Sequence, residues 1–304
     1  MTDRAQIRML PDGRRLHLHD GPIDLIVEAF GEPGEVKLAY RAAATRFISI
    51  LDELCAELVF LRSAACASGD LPSGVIARRM LAAVLPYAAR AFITPMAAVA
   101  GSVAEEILAA MTSNSKLSRA YVNDGGDIAL HLTTGQTFVV GMVERPDLAS
   151  IFGTTTIEST DPIRGIATSG RHGRSFSLGI ADAVTVLADT AAMADAAATI
   201  LGNAVDLPGH PAIHRVAACE LAPDSDLGSR LVTQFVEELP GREVSVALQA
   251  GVQAAESLRD AALIRAAALN LQGETRVIGT TNSLSSVSLS SMKISTPQRS
   301  LAHA

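Results

Sequence analysis

The chain has 304 residues, a formal net charge of -7, 48% hydrophobic residues and no tryptophan. This is enough apolar material for one large domain or two closely joined halves. The acidic balance gives no electrostatic basis for binding nucleic acid, and it would repel an anionic membrane surface. The chain has no long uncharged apolar run and no secretory signal at its start, so we expect a cytoplasmic protein without a membrane span.

The three cysteines, Cys55, Cys66 and Cys219, are too few and too scattered to form a disulfide framework. Cys55 and Cys66 are predicted to lie on one helix, roughly 16 Å apart along its axis, so they cannot share a bond or a metal. We expect all three to be buried as small hydrophobic side chains.

The N-terminal half is predicted to contain a hairpin, three helices and three strands. Alternating apolar residues on both sides of a Gly-Pro turn predict the hairpin over residues 14–29. Apolar residues at helical spacing, interrupted by glycine and proline, predict the helices. The helices are predicted over 35–67, 75–90 and 97–110, and the strands over 119–123, 127–132 and 137–143.

The C-terminal half mixes strands and helices without regular alternation. Strands are predicted over 163–168, 183–187, 214–221 and 276–279, and helices over 191–203, 227–239 and 244–271. Residues 280–304 are serine-rich and aperiodic, which predicts a disordered tail. The hairpins and the irregular order indicate the α+β class, with mixed or antiparallel sheets packed against helices.

Small residues crowd the segment from Thr94 to Leu108, where a loop becomes a helix. Free amides at a helix start can receive a phosphate. A tightly packed helix start without a ligand would use the same residues.

Two glycines stand between two aspartates where one predicted strand passes to the next. Gly125 and Gly126 allow positive φ and the close approach of a ligand, and Asp127 could accept a hydrogen bond from a nucleotide. A plain hairpin turn is the alternative.

A short basic loop follows the strand predicted over 163–168. Ser169 and Gly170 precede Arg171, His172 and Arg174, a set that suits an anion such as a diphosphate. A solvated turn with basic side chains is the alternative.

Asp195 and Thr199 lie four residues apart on an alanine-rich predicted helix, with Asp189 as its candidate N-cap. Both side chains therefore face the same way, and a carboxylate with a hydroxyl suits a hard cation such as Mg²⁺. In the alternative, a packed helix, Thr199 would bond back to the Asp195 carbonyl. A buried Asp195 carboxylate would then need a partner, and the helix offers none.

Together these segments resemble the ApbE family of flavin transferases, which attach FMN from FAD to a protein threonine. The resemblance is to an uncharacterised, shorter branch of that superfamily, and it covers roughly Ile93 to Val205. The matching stretches are AAVAGSVAEEI, YVNDGGDIAL, ATSGRHGRS and VTVLADTAAMADAAATILG. The most specific is the run Ala194-Asp195-Ala196-Ala197-Ala198-Thr199, which follows the family pattern A-D-A-x-A-T.

The resemblance implies a role for each matched residue. Asp195 and Thr199 would be side-chain ligands of Mg²⁺, with a backbone carbonyl of the loop containing Met96 and Ala97 as a third ligand. The residues that would lie along FAD are Gly125, Gly126, Asp127, Ser169, Gly170 and Arg174. It also implies one ApbE-like α+β domain over 1–279, which would bind a small nucleotide.

The chain departs from the flavin transferases at two places. Their Lys-Gly at the small-residue helix start is replaced by Ala100-Gly101-Ser102. Their His-x-x-Asp-Pro-x-Thr-Gly segment is absent, and Asp182 stands partly in its place. Three functions therefore stay open: a Mg²⁺-dependent enzyme that cleaves the FAD diphosphate or transfers FMN, a carrier that holds flavin without turnover, and a structural homo-oligomer built on the long helices.

The remaining histidines give no metal site. His17 and His19 share one face of a strand, but no third ligand is near in sequence, so a solvent-facing strand edge is the better interpretation. Pro211 separates His210 from His214, which argues against a helical metal pair.

Overall fold

The structure is a computed structural model that describes residues 4–67, 69, 71–143 and 151–279. Only the backbone is described for residues 114, 142–143 and 151–153. The predicted disordered tail over 280–304 lies outside the described residues.

A nine-stranded antiparallel sheet forms the centre of the fold. Its strands, in spatial order, are β1 (Gln6–Met9), β2 (Leu16–Asp20), β3 (Ile23–Gly31), β4 (Leu117–Asp124), β5 (Asp127–Leu132), β8 (Gly165–Ser169), β9 (Ala183–Ala188), β12 (Ala266–Leu271) and β13 (Glu274–Ile278). Two small antiparallel sheets complete the set, one of β6 (Thr137–Val143) with β7 (Ile151–Glu158), the other of β10 (Ile213–Ala217) with β11 (Leu231–Val236).

Helices cover one face of the large sheet. They are α1 (Pro33–Ala56), α2 (Leu58–Leu61), α3 (Val75–Val84), α4 (Val99–Asn114), α5 (Ala191–Ala204), α6 (Ala218–Leu221) and α7 (Gly241–Asp260), with a 3-10 helix over Pro95–Ala98 before α4. One buried cluster joins α1, α3 and α4 to β2–β4, and a second joins α5 and α7 to β8, β9 and β12. The β6–β7 hairpin packs on the other face. The antiparallel α+β architecture confirms the predicted fold class.

The predicted elements differ from the structure mainly in the C-terminal half. The helix predicted over 227–239 is wrong, because β11 occupies Leu231–Val236. The helix predicted over 244–271 ends at Asp260, and the last part forms the buried strand β12. The strand predicted over 214–221 turns into a short helix at Ala218. Strands β1 and β7 were not predicted.

The expectation for the cysteines is also wrong. Cys55, Cys66 and Cys219 are all exposed, and none forms a disulfide within the described residues. Helix α1 ends at Ala56, so Cys66 does not share a helix with Cys55.

One helical stretch in the described part of the chain, Pro95–Ser113, is long and apolar enough to span a membrane by length and composition. Its side chains Val103, Ile107 and Met111 are fully buried in the protein core. Core packing therefore accounts for its apolar character.

Candidate functional site

The segments singled out in the sequence converge on one region of the helix-covered face. The turn between β4 and β5, the end of β8, the start of α4 and the middle of α5 all meet there. The 3-10 helix that carries Met96 and Ala97 runs directly into α4 and contacts α5. The structure thus brings the candidate residues together, although they span a hundred positions of the chain.

The Gly-Gly turn has a different reason for each glycine. Gly125 has φ +64°, and a Cβ there would lie 2.1 Å from Nη2 of Arg174. Gly126 has φ +119° and open space where a Cβ would point, and its amide donates to Oδ1 of Asn123 at 2.8 Å. The positive φ therefore favours glycine at position 125, since the exposed Arg174 side chain could move aside, while Gly126 leaves the turn open on one side.

Asp124 is a buried carboxylate that the sequence did not single out. It is only 4% exposed, and its Oδ1 lies 3.6 Å from Nη2 of Arg174 and 3.4 Å from the donating amide of Asp24. Burial raises the pKa of Asp124 to about 7, because these two contacts compensate the lost hydration only in part. The second aspartate of the N-D-G-G-D pattern was noticed, but nothing in the letters showed that the first one points inward.

Asp127 and Asp195 come from different elements and interact as like charges. Oδ1 of Asp127 accepts a hydrogen bond from the amide of Thr168 at 3.3 Å. Burial raises the pKa of Asp127 well above its ordinary value, and the negative charges of Asp195 and Asp124 add to this effect. Burial, with the charge of Asp124, likewise raises the pKa of Asp195. Three carboxylates therefore share one weakly solvated region.

Asp195 has a partner that sequence reasoning missed. Its Oδ2 accepts a hydrogen bond from the amide of Gly101 at 3.0 Å, so the carboxylate caps the start of α4. As expected, helix α5 itself offers no partner to Asp195, and the partner comes from α4. The Gly101 amide, which was a candidate phosphate donor, is already used.

The small residues at the start of α4 allow two helices to pack closely. A Cβ on Gly101 would lie 2.3 Å from the carbonyl oxygen of Ala191 in α5. The close approach of α4 to α5 also places the amide of Gly101 beside Asp195. The glycine that allows the two helices to pack closely therefore also provides the hydrogen-bond donor of Asp195.

Thr199 follows Asp195 by one turn of α5 and is partly exposed. Its hydroxyl makes no hydrogen bond with the described residues, so the back-bond to the Asp195 carbonyl that the packed-helix alternative requires is not formed. The N-cap of α5 is Thr190, whose side chain accepts from the amide of Met193, and not Asp189. Asp189 instead pairs with Arg265 through contacts of 2.5 and 2.6 Å.

The basic loop after β8 is largely neutralised by Asp182. Arg171 lies 2.5 Å and His172 3.1 Å from Oδ1 of Asp182, and Oδ2 accepts from the amide of Gln272 at 2.5 Å. Asp182 is 5% exposed. It therefore holds the loop in place.

Ser169, Gly170 and Arg174 have separate positions in this loop. Gly170 has φ +146°, and a Cβ there would lie 2.5 Å from the carbonyl oxygen of Asp182. Ser169 ends β8 and faces Gly202 of α5, where a Cβ would lie 3.7 Å from its Oγ. The Arg174 side chain is 62% exposed, so it is the member of the loop that could meet an anion beside Asp124.

Within the described residues, no group of three or more His, Cys, Asp and Glu side chains has the geometry of a metal site. The Mg²⁺ ligands predicted from the sequence are not such a group, since they combine one carboxylate with a hydroxyl and a backbone carbonyl. His17 lies 2.5 Å from Asp24, while His210 and His214 pair with Glu243 and Glu237.

The raised pKa of Asp124 predicts a pH-dependent stability in metal-free buffer. The unfolded carboxyl ionises near pH 3.8 and the folded one near 7, so the folded state loses stability as pH rises between these values. Asp124→Asn should remove part of this loss, on the order of a few kcal/mol, since one pKa unit corresponds to about 1.4 kcal/mol. Urea unfolding midpoints across this pH range measure the slope.

The control for that experiment is Asp260→Asn, which removes one charge from an exposed position. It should leave the slope of wild type unchanged. Equal slopes in wild type and Asp124→Asn would show that the Asp124 carboxyl is solvated in the folded protein.

Comparison with known proteins identifies the family. A family model described as AbpE bacteria matches residues 7–277. The chain is thus an ApbE-like protein of the α+β class. It belongs to the AbpE bacteria family.

Curated relatives match over a shorter region. A UPF0280 protein of Methanococcoides burtonii is 39% identical over 122 residues, which is 40% of this chain and 49% of the relative. A UPF0280 protein of Methanosarcina acetivorans is 40% identical over 116 residues, 38% of this chain and 44% of the relative. The chain spans about half the length of the curated relatives it matches.

Two solved structures are similar at low identity. A mutant of the flavin transferase ApbE from Vibrio cholerae is 12% identical, with 91% of this chain and 97% of that chain covered and a TM-score of 0.47. The apo flavinyl transferase ApbE of Pseudomonas stutzeri is 11% identical, with coverages of 92% and 96% and a TM-score of 0.45.

Proposed function

We propose that the chain binds FAD through its diphosphate, in a complex that requires Mg²⁺. The observation that carries this proposal is the cluster of Asp127 and Asp195 beside the unbonded hydroxyl of Thr199. The family membership and the matched motif residues support the same function. The domain over 1–279 is proposed as a single unit, because one sheet joins Gln6 to Ile278.

The donor set fits a hard divalent cation. Asp195 uses Oδ2 for the Gly101 amide, which leaves Oδ1 for a metal, and Thr199 offers an oxygen one turn away. Like-charged carboxylates in a weakly solvated region are stabilised by a cation. When bound, Mg²⁺ would neutralise phosphate charge and keep water ligands that phosphate oxygens replace. The carbonyl of Met96 or Ala97 is the proposed third ligand.

The side of the Gly125–Gly126 turn opposite the proposed metal ligands fits the nucleotide. Gly126 leaves its side of the turn open, and the largely exposed Arg174 side chain reaches the turn with its guanidinium, whose Nη2 lies beside Gly125 and Asp124. An exposed guanidinium at this place can pair with diphosphate oxygens while its other end stays anchored at Asp124. Ser169 and Gly170 position the loop from which Arg174 extends.

Cleavage of the diphosphate or transfer of FMN is one outcome of such binding, and retention without turnover is the other. The buried pairing of Asp182 with Arg171 and His172 favours retention, because the residue that stands partly in place of the family segment is already occupied by contacts within the protein. The absence of the family Lys-Gly and histidine segments also favours retention of FAD without turnover.

The test is a fluorescence titration of FAD with and without Mg²⁺ on wild type and two variants. Asp195→Ala and Thr199→Val should each lose the Mg²⁺-dependent part of the affinity, with at least a tenfold effect of the size seen for altered metal sites. Thr199→Val is the cleaner variant, because its hydroxyl makes no hydrogen bond within the described residues.

The matched control is Asp189→Ala, which removes a carboxylate just before α5 but away from the site. It should bind FAD as wild type does. Equal FAD binding by wild type in Mg²⁺ and in chelator would contradict the proposal. Mass spectrometry of the same mixtures separates the two outcomes, since only cleavage gives FMN and AMP.

A further inference from the structure

Helix α1 carries an exposed stripe on the side opposite its buried face. The stripe contains Leu38, Arg41, Thr45, Ile48, Asp52 and Cys55, all of them exposed. Leu38 is 45% and Ile48 57% exposed, which is high for large apolar side chains on a helix whose opposite face is fully buried. The stripe therefore presents apolar surface to solvent.

The spacing of the stripe is that of a helix-packing seam. Its residues follow one another at intervals of three and four, so they stay on one side of α1 over about five turns. Two helices with such seams pack along their length at a crossing angle of about 20°. A straight helix from another molecule fits this seam.

The order of residues along the seam is complementary to itself in the antiparallel direction. A two-fold axis midway between Thr45 and Ile48 would place Thr45 of each copy beside Ile48 of the other copy. The same axis sets Leu38 against Cys55 and Arg41 against Asp52. Leu38 and Cys55 thus pair as apolar side chains and Arg41 and Asp52 as opposite charges, in the self-complementary manner that an isologous interface requires.

The charges of Arg41 and Asp52 favour antiparallel over parallel packing of the two helices. Arg41 makes no ion pair or hydrogen bond with the described residues, and the Asp52 side chain is 70% exposed with a contact to Arg4 at 2.9 Å. Antiparallel packing forms the pair Arg41–Asp52 twice, whereas parallel packing would set Arg41 against Arg41. Complementary charges fix register and exclude wrong arrangements.

The surface beside the seam has room for a second helix. An open groove of about 850 Å³ lies between α1 and α4. Small side chains line much of it, among them Ala42, Ser49 and Ala109.

We propose that a second copy of this chain docks on α1, forming a two-fold dimer through antiparallel α1 helices. Light scattering coupled to gel filtration should give twice the monomer mass of 31.6 kDa for wild type. Arg41→Glu and Asp52→Arg should each give the monomer mass, and the double variant should restore the dimer. Arg90→Glu, the same charge change on an exposed residue away from α1, should remain a dimer.

Cross-linking tests the direction of the helices. In a background with Cys66→Ser and Cys219→Ser, Leu38→Cys should form an intermolecular disulfide with native Cys55 under mild oxidation. Adding Cys55→Ser should abolish it. Without Leu38→Cys no disulfide should form, because antiparallel packing keeps the two Cys55 thiols roughly 25 Å apart. A monomeric wild type, or a Cys55–Cys55 disulfide, would overturn the proposal.

Discussion

Gly101→Ala is expected to destabilise the protein by about 3 kcal/mol, the upper end of what overpacking costs. The added Cβ would lie 2.3 Å from the carbonyl oxygen of Ala191 and 2.8 Å from the amide nitrogen of Ala192. Both are backbone atoms, so no side chain can rotate away and α4 must separate from α5. The separation would also weaken the hydrogen bond from Gly101 to Asp195.

The control is Gly34→Ala, in the first turn of α1, where a Cβ meets nothing within 4 Å. Alanine favours helices over glycine by about 1 kcal/mol, so this variant should be as stable as wild type or slightly more stable. Urea unfolding measures both. Equal stability of the two alanine variants would show that α4 and α5 can move apart without cost.

Asp182→Ala is expected to cost about 3 to 5 kcal/mol, because it leaves a buried cation unpaired. The Arg171 side chain is 15% exposed, and its Nε has no hydrogen-bond partner among the described residues even in wild type. The variant would also free the amide of Gln272, which directly follows β12 and donates to Asp182. Asp182→Asn should cost less, since its amide oxygen can still accept that bond.

Asp189→Ala is the matched control for charge and pairing. Asp189 also binds an arginine through two contacts, but both side chains are more than a third exposed. Solvent-exposed pairs contribute about 1 kcal/mol or less. A cost for Asp182→Ala no larger than that for Asp189→Ala would show that the loop containing Arg171 rearranges freely.

The strands and helices with a clear period were predictable, and those overridden by tertiary packing were not. Helix α5 was predicted to within one residue of its end at Ala204, because alanine favours helices, although its N-cap is Thr190 and not the predicted Asp189. The same preference misled the prediction for β12, where three consecutive alanines form a strand. Its neighbours β9 and β13 fix that strand, and no local pattern reveals them.

The candidate site was recognisable from local motifs, but its connections were not. Glycines and aspartates in short segments pointed to the right places in the chain. The bond from Gly101 to Asp195 spans 94 positions, and the contact of Arg174 with Gly125 joins two loops. Such pairs depend on the path of the whole sheet, so one sequence alone does not reveal them.

The large sheet also implies an order of assembly during synthesis. Each of its strands after the first lies beside the sheet strand that precedes it in the chain, and the helices and small hairpins are excursions between neighbours. The sheet can therefore lengthen strand by strand as the chain leaves the ribosome, without any strand being inserted between two others. The acidic cluster nevertheless stays incomplete until α5 has emerged. For much of synthesis, Asp124 and Asp127 would thus be open to water and free of the electrostatic cost that they bear in the finished protein.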